Sequence, residues 1–221
     1  MGHILEIDSV QLAFDRRTIL NNIYVKAETG KVTGILGRNG CGKSCLLKLI
    51  FGEIATSEKS VRINGKVLMG ERRNAADMKM LPQCNFLPKY MKVGTAFEHF
   101  QVNFLEFCEL FDEFDKRRDL KIRELSGGHI RIMETYLILK SPSKFCILDE
   151  PFSHLSPKNV DAFMRIIQQE KKEKGVILTD HMYRHIVQLS DTLYVIDDAV
   201  SHKLKHVDEL KYYGYLRDIQ P

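Results

Sequence analysis

A glycine-rich octapeptide follows a short apolar run near the start of the chain. Its sequence, GRNGCGKS at 37–44, fits the pattern G-x-x-x-x-G-K-[ST] and precedes the apolar helical pattern CLLKLIFGEI. In this pattern glycines let backbone N–H groups converge on phosphate oxygens, the lysine reaches the outer phosphates, and the serine ligates magnesium. A strand before the loop and a helix after it suit that chemistry, because a helix N-terminus favours anions. The octapeptide therefore predicts a nucleotide site in an α/β protein.

The loop and the first turn of its helix supply most of the predicted phosphate contacts. We expect the nucleotide to be held by Gly37, Asn39, Gly40, Cys41, Gly42, Lys43, Ser44 and Cys45. Lys43 is also a candidate catalytic residue, and Ser44 is a candidate magnesium ligand. Cys41 lies inside the loop beside a helix N-terminus, which predicts thiolate character and a reactive side chain.

Two later strands are predicted to end in polar side chains. The apolar run FCIL precedes Asp149 and Glu150, and VILT precedes Asp180 and His181. Because ligands gather at the carboxyl ends of parallel strands, these side chains should converge on the phosphate loop. Asp149 is predicted to hold magnesium through water, Glu150 to orient or deprotonate an attacking water, and His181 to contact the outermost phosphate.

Gln83, in MLPQCNFLP, follows a short apolar strand and precedes a proline-marked loop. Its amide could bind magnesium or water while the loop senses a neighbouring helical insert. The alternative is an ordinary surface glutamine, and the position alone does not decide between the two.

The hydrophobic pattern changes along the chain. HILEIDSVQLAF and NIYVKA are predicted strands, and Asn64-Gly65 between β-forming residues predicts a hairpin, so this part should be antiparallel. After Pro142 predicted strands alternate with predicted helices. That alternation indicates a parallel sheet with helices on its faces.

One domain, 1–221, is the organisation that we predict. Its core should comprise residues 1–86 and 142–221, with a helical subdomain at about 87–141. Within 95–114, phenylalanines recur at steps of three and four, which predicts one helical face. They are Phe97, Phe100, Phe104, Phe107, Phe111 and Phe114. We interpret them as core packing of the helical insert; the alternative is an exposed dock for a partner.

Composition and charge narrow the classes of function. The formal charge of +4 fits an anionic ligand, but no Lys/Arg run is interleaved with aromatic residues as a nucleic-acid groove would be. KKEK at 171–174 is predicted to be a solvated helix face. The five cysteines have no metal-binding spacing, which favours reduced thiols in a cytosolic chain. There is neither a signal-peptide pattern nor an apolar run of about 18 residues, so a membrane role would need another chain.

Taken together, these motifs resemble the ATP-binding cassette ATPases over nearly the whole chain. The matching elements are the phosphate loop, the glutamine loop at Gln83, the signature LSGG at 125–128, the CILDEP strand and a switch histidine, His181. Phe14, in VQLAFDRR, occupies the place of the aromatic residue that stacks on adenine in this family. The resemblance implies an α/β P-loop NTPase fold of the RecA-like class. It would have a mostly parallel core sheet, an N-terminal antiparallel β edge and a helical insert subdomain.

The resemblance also implies ATP and Mg²⁺ as ligands and a head-to-tail dimer. In this family the Ser-Gly-Gly of one cassette, here Ser126, Gly127 and Gly128, closes over the γ-phosphate held by the other cassette. A serine hydroxyl and a helix N-terminus both favour an anion there. ATP should therefore hold the dimer together, and hydrolysis should release it because the bridging charge is lost.

Two positions depart from the family pattern. His129 replaces the usual glutamine after LSGG and could add a pH-sensitive donor or nothing at all. Ser156 ends the run Ser-His-Leu-Ser where the family usually has aspartate, so it lacks the carboxylate that links the two sites. Hydrolysis could be slower or less coupled as a result.

The function implied by the resemblance is that of an ATP hydrolase powering a transporter. The chain would pair as a homodimer or heterodimer and bind a separate transmembrane permease, with no nucleic acid. It would be cytoplasmic and peripheral to the inner face of the cell membrane. Two alternatives stay open: a soluble cofactor-assembly ATPase of the same family, and a non-hydrolysing ATP-dependent dimerisation switch.

Overall fold

The computed structural model describes residues 2–56, 58–68 and 77–215, which form two β-sheets flanked by helices. The strands are β1 (Ile4–Phe14), β2 (Arg17–Glu28), β3 (Val32–Gly37), β4 (Ser60–Ile63), β5 (Lys66–Val67), β6 (Met78–Leu81), β7 (Phe145–Asp149), β8 (Gly175–Thr179), β9 (Thr192–Asp197) and β10 (Val200–Lys203). The helices are α1 (Lys43–Phe51), α2 (Val93–Phe100), α3 (Phe104–Leu110), α4 (Gly127–Lys140), α5 (Pro157–Glu170) and α6 (Tyr183–Leu189).

The larger sheet is mixed and mostly parallel. Its strand order over the described residues is β10-β9-β3-β8-β7-β6, and β10 alone pairs antiparallel, with β9. The predicted alternation of strands and helices after Pro142 is confirmed. The carboxyl ends of β3, β7 and β8 consequently lie side by side, which is the edge where the sequence places its polar side chains.

The larger sheet separates two hydrophobic cores. In β7, which is buried throughout, Cys146 and Leu148 belong to the core beneath the helices α4 and α5, whereas Phe145 and Ile147 belong to the core shared with α1 and the smaller sheet. This alternation is the period of two expected when successive side chains point to opposite faces. Burial on both faces explains why the parallel strands have continuous apolar sequences.

The smaller sheet is antiparallel, with the strand order β2-β1-β4-β5 in the described residues. Asn64 and Gly65 join β4 to β5 with φ angles of 52° and 76°. Two successive positive φ angles are those of a type I′ turn, which favours Asn-Gly. The predicted N-terminal antiparallel edge and its hairpin are therefore confirmed.

The phenylalanine-rich segment forms two helices, so the prediction of one helical face over 95–114 is wrong. Helix α2 ends at Phe100, its C-cap Gln101 has a left-handed φ of 56°, and the Asn103 side chain caps α3 by accepting a hydrogen bond from Leu105 N at 2.9 Å. The core interpretation is confirmed, because five of the six rings are at least nine-tenths buried. These are Phe97, Phe104, Phe107, Phe111 and Phe114. The Phe107 ring contacts the rings of Phe97, Phe114 and Tyr136 at centroid distances of 4.7–4.9 Å.

The prediction of a solvated helix face at 171–174 is wrong for the helix and for Lys174, although Lys172 and Glu173 are exposed. Helix α5 ends at Glu170, and Lys174 is only 4% exposed. Its ammonium group donates hydrogen bonds to the carbonyls of Leu139 (2.5 Å) and Ser141 (2.9 Å). A cation at the C-terminus of a helix satisfies carbonyls that the helix itself leaves unpaired. Lys174 thus stabilises the C-terminus of α4.

Helices α4 and α5 are the longest, at 14 residues each. Over the described ranges, no helix has both the length and the hydrophobicity needed to cross a bilayer.

Candidate active site

The phosphate loop connects β3 to α1, as its sequence predicts. Gly40 and Gly42 have φ angles of 79° and 100°, and a Cβ on Gly42 would come within 2.9 Å of the Ile19 side chain. A side chain at Gly42 would therefore be strained and crowded. The Lys43 ammonium group folds back and donates to the carbonyls of Gly37 (2.7 Å) and Arg38 (3.2 Å). The chain thus holds this amine over the loop that it is expected to serve.

Asp149 is a buried carboxylate at the end of β7. It is 0% exposed, and neither of its oxygens has a hydrogen-bond partner of ordinary geometry among the described residues. Burial raises the pKa of Asp149, and the nearby Ser44 hydroxyl lowers it by less. A buried carboxylate without a partner is costly. This position therefore fits a cation, and the hydroxyl of Ser44 and the amide of Gln83 offer the hard oxygen ligands that Mg²⁺ prefers.

Glu150 lies beside the switch histidine. Its φ angle is 51°, its N–H donates to Thr179 O at 2.8 Å, and its carboxylate accepts a hydrogen bond from Ser153 Oγ at 3.1 Å. Nδ1 of His181 is 4.0 Å from the Glu150 carboxylate and 3.2 Å from the Asp180 carboxylate. The two strand ends thus place a carboxylate and an imidazole at one edge of the sheet.

A cavity of about 320 Å³ collects the predicted side chains. Its lining includes Lys43, Ser44, Gln83 and Glu150, together with Arg17 from the start of β2. Gln83 is therefore at the phosphate loop. The family resemblance predicts a ligand role for Gln83, because its position in the sequence alone does not distinguish a ligand from a surface glutamine.

Phe14 is half-exposed at the end of β1, where it pairs across the hairpin with Arg17. Arg17 lines the cavity at the phosphate loop, whereas Phe14 is not among its lining residues. His181 lines a neighbouring cavity of about 540 Å³ with Gly37 and Asn39 of the phosphate loop.

The prediction of thiolate character for Cys41 is wrong. Burial raises the pKa of Cys41, and the positive charge of Lys43 lowers it by less. The Cys41 side chain packs against Gly37 and joins the partly buried edge of the core beneath α1. Desolvation therefore outweighs the Lys43 charge and the backbone N–H groups around this thiol.

The signature residues lie apart from the phosphate loop of the same chain. Ser126 caps α4, with its hydroxyl accepting from His129 N at 3.2 Å, and none of the signature residues lines the cavity around Lys43. A Cβ on Gly127 would meet nothing within 4 Å, whereas one on Gly128 would reach His154 O at 3.5 Å. Packing within the chain therefore does not explain why Gly127 is a glycine.

The two departures from the family pattern have local structural roles. His129 Nδ1 lies 2.9 Å from Ser126 Oγ and 2.8 Å from an Arg117 nitrogen, and burial, followed by the Arg117 charge, lowers the pKa of His129. A neutral imidazole thus supports the signature serine. Ser156 is the N-cap of α5, and its side chain accepts from Asn159 N at 3.4 Å.

Sequence reasoning missed two residues of α4 whose side chains bond to the backbone of the site and do not line the cavity around Lys43. Arg131 donates to Pro82 O at 2.8 Å and to the carbonyls of Asp149 and Glu150, both at 2.6 Å. Glu134 accepts the backbone N–H groups of residues 86 and 87 at 2.8 and 2.9 Å. The available signal was an arginine and a glutamate three residues apart in the otherwise apolar run IRIMETYLIL.

A family model described as ABC transporter matches residues 20–153, more than half of the chain. The chain belongs to the ABC transporter family. The matched region contains the phosphate loop, Gln83, the signature LSGG and the Asp149–Glu150 pair. Members of this family bind ATP, and ATP hydrolysis is their general activity.

Curated relatives carry the same family signal. The arabinose import ATP-binding protein AraG of Mannheimia succiniciproducens is 29% identical over 212 residues, covering 88% of this chain and 42% of that protein. The lipopolysaccharide export system ATP-binding protein LptB of Acidithiobacillus ferridurans is 26% identical, covering 90% of this chain and 88% of that protein. The chain thus spans about two fifths of AraG and most of LptB.

Solved structures share the fold. A structure of an ATP-binding subunit of an ABC transporter superposes with a TM-score of 0.76 at 20% identity, covering 98% of this chain and 95% of that one. A bacterial Atm1-family ABC exporter with ATP bound gives 0.82 at 20% identity, covering 97% of this chain and 41% of that one. These likenesses confirm the predicted P-loop α/β cassette.

Proposed function

We propose that this chain is the ATP-binding and hydrolysing subunit of an ABC transporter. In this proposal it dimerises around two ATP molecules and drives a membrane subunit that is a separate chain. The observation that carries the proposal is one cavity lined by Lys43, Ser44, Gln83 and Glu150, at the edge where β7 ends in Asp149, a buried carboxylate without a hydrogen bond of ordinary geometry to any described residue. A phosphate loop, a cation site and a base together supply what phosphoryl transfer to water needs.

Each side chain at this edge has a proposed task. Lys43 binds the outer phosphates, and Phe14 stacks on the adenine. Ser44, Asp149 and Gln83 would hold Mg²⁺, which when bound neutralises charge on the phosphate oxygens. 

The proposed hydrolysis also depends on the two polar residues beside the cation site. Glu150 orients the attacking water and accepts its proton, and His181 contacts the γ-phosphate. Hydrogen bonds fix the backbone of Glu150. They support this role because a general base must stay within hydrogen-bond reach of the proton that it accepts.

The proposed dimer is based on the exposure of the signature residues at the start of α4. Ser126 and Gly127 are exposed, they lie outside the cavity around Lys43, and Gly127 has free space in front of it. An exposed helix N-terminus with a serine hydroxyl favours an anion brought by another molecule. We therefore propose that they close over the γ-phosphate held by the partner, in a homodimer or a heterodimer.

A membrane partner is proposed from the printed names of the relatives, which are import and export ATP-binding proteins. The chain would then be cytoplasmic and bound to the inner face of the cell membrane through a permease. Co-purification with a membrane protein supports this assignment, whereas co-purification with a soluble scaffold favours the cofactor-assembly alternative.

Phosphate release with Mg-ATP tests the proposal. Glu150→Gln should retain ATP binding, lose most turnover and accumulate as an ATP-dependent dimer in size-exclusion chromatography. The exposed Glu173→Gln is the matched control and should behave as the parental protein does. Parental turnover in Glu150→Gln would remove Glu150 from the mechanism.

Ser156 favours a second candidate, a switch that binds ATP and dimerises without hydrolysis. It replaces the family's aspartate and acts as a helix cap. ATP-dependent dimerisation of the parental chain with no phosphate release would support this switch over the enzyme.

A further inference from the structure

The backbone at Glu150 is held from both sides. Its left-handed φ of 51° is uncommon for a residue with a side chain. Its N–H donates to Thr179 O at 2.8 Å, and its carbonyl accepts from Arg131 at 2.6 Å. The same guanidinium nitrogen bonds the Asp149 carbonyl at 2.6 Å. Arg131 therefore fixes the peptide units that carry the proposed metal ligand and the proposed base.

The glutamine loop is held by the same helix. Arg131 bonds the carbonyl of Pro82, directly before Gln83, and Glu134 accepts the N–H groups of Phe86 and Leu87. The loop is thus fixed to α4 on both sides of Gln83. Bonds with an ionised donor or acceptor are about twice as strong as neutral ones.

The front end of α4 is the signature itself. The helix starts at Gly127, immediately after its cap Ser126, and runs unbroken to Lys140. Gly127, Arg131 and Glu134 are separated by steps of four and three residues, so they follow one side of the helix. Because the helix is continuous, a shift of its first turn is transmitted to both charged side chains.

We propose that Arg131 and Glu134 are positioning residues that couple the two halves of the ATPase. Building on the proposed function, they connect the signature, which faces the partner's nucleotide, to Glu150 and Gln83, which face the chain's own nucleotide. When the signature closes on the partner's nucleotide, the accompanying movement of α4 thereby repositions Glu150 and Gln83 of the same chain. Arg131 and Glu134 touch neither ATP nor water in this scheme.

Both side chains are buried too deeply for a solvent-facing role. Arg131 is 3% exposed and Glu134 is 0% exposed. Apolar residues would fill the same space without unpaired polar atoms, yet Arg131 Nε and Glu134 Oε2 have no hydrogen-bond partner among the described residues. Burying an arginine and a glutamate adds little net stability compared with apolar packing, because their desolvation is costly. Control of loop geometry explains these two residues better than stability does.

Kinetics on the full chain separate positioning from stability. Arg131→Met should lower kcat about 10- to 100-fold, because small misplacements of catalytic groups have effects of that size. The Kd for ATP should change by less than about threefold, since Arg131 does not contact the nucleotide. Arg131→Lys should recover part of the rate, as an ammonium group keeps the charge but cannot reproduce all three bonds. The exposed Arg123→Met is the matched control and should match the parental protein.

Hydrogen exchange gives a readout that does not require hydrolysis. In the parental protein Mg-ATP should slow exchange at the amides of Gly128, Phe86, Leu87 and Glu150 together. In Arg131→Met the Glu150 amide should exchange at least about tenfold faster, and the joint response should be lost. Glu134→Gln keeps the accepting Oε1 and should preserve protection of residues 86 and 87, whereas Glu134→Leu should remove it.

The outcomes distinguish this inference from the proposed function. If the parental chain hydrolyses ATP and Arg131→Met keeps its kcat and its exchange pattern, the inference is overturned and the ATPase stands. If the parental chain releases no phosphate, the proposed function fails, and exchange at Phe86, Leu87 and Glu150 still decides the inference. Should Arg131→Met fail to fold, Arg131→Lys and the two Glu134 variants provide the same measurements.

Discussion

Replacing Asp149 by asparagine should stabilise the nucleotide-free protein. The carboxylate is 0% exposed, and within the described residues neither oxygen has a hydrogen bond of ordinary geometry, although the Ser44 hydroxyl lies close by. Leaving a buried polar group unsatisfied costs about 1–3 kcal/mol, and a neutral amide removes the charged part of that cost. In a chain of this length 1 kcal/mol corresponds to about 2–4 °C in Tm. Asp149→Asn should therefore melt about 2–12 °C higher than the parental protein at neutral pH.

The gain should depend on pH. Burial raises the pKa of Asp149 above its ordinary value of 3.8, so the ionised carboxylate destabilises the fold at neutral pH. That destabilisation is lost as pH falls through the raised folded-state pKa, because the protonated group no longer carries a buried charge. The difference in Tm between Asp149→Asn and the parental protein should accordingly narrow in acid.

Mg-ATP should reduce or reverse the stability advantage of Asp149→Asn. A ligand at about 100 times its Kd stabilises the folded state by about 2.7 kcal/mol. The parental protein should gain this amount, whereas Asp149→Asn should gain less because it lacks the carboxylate that we propose holds the cation. Thermal melts with and without Mg-ATP measure both effects, with the exposed Asp161→Asn as control. A lower Tm for Asp149→Asn without nucleotide, or an equal gain from Mg-ATP, refutes the reasoning.

Two further predictions concern buried groups that the sequence pattern misjudged. Because burial raises the pKa of Cys41, maleimide at pH 7 should label it more slowly than the exposed Cys84, and the rate should climb as pH increases; equal rates by mass spectrometry would contradict this. Lys174→Met should lower the free energy of unfolding by about 1–3 kcal/mol in urea, because it removes the donor from two buried carbonyls, while Glu170 keeps its other partner, Lys140. The exposed Lys172→Met should change it by less than about 0.5 kcal/mol, and similar losses in both variants would count against a specific role for Lys174.

Most of the fold was predictable because its signals are local. The parallel strands are short apolar runs, and the Asn64-Gly65 turn has a backbone requirement that few residue pairs meet. The break after Phe100 was not predictable in this way. It depends on Gln101 adopting a left-handed conformation, whereas the helical spacing of the phenylalanines continues across the break.

The residues of the site likewise divide into those with a local sequence signal and those without one. Lys43, Asp149 and Glu150 follow directly from motifs of adjacent residues, and the structure brings Lys43 and Glu150 to one cavity. Arg131 and Glu134 were missed because their partners lie many positions away, at Pro82 and in the loop that follows it. The errors at Cys41 and at 171–174 have the same cause. Burial is a tertiary property, and neither a helix terminus nor a run of charged letters reports it.

The empty space in front of Gly127 affects how variants of this chain should be judged. Alanine there would improve helix propensity and clash with nothing in the isolated molecule. Such a protein would express, melt and resist proteolysis as the parental chain does, and under the proposed dimerisation its defect would appear only when two chains bind ATP together. Screens for expression or thermal stability would therefore select this variant, although the proposed ATP-bound dimer could not form correctly from it.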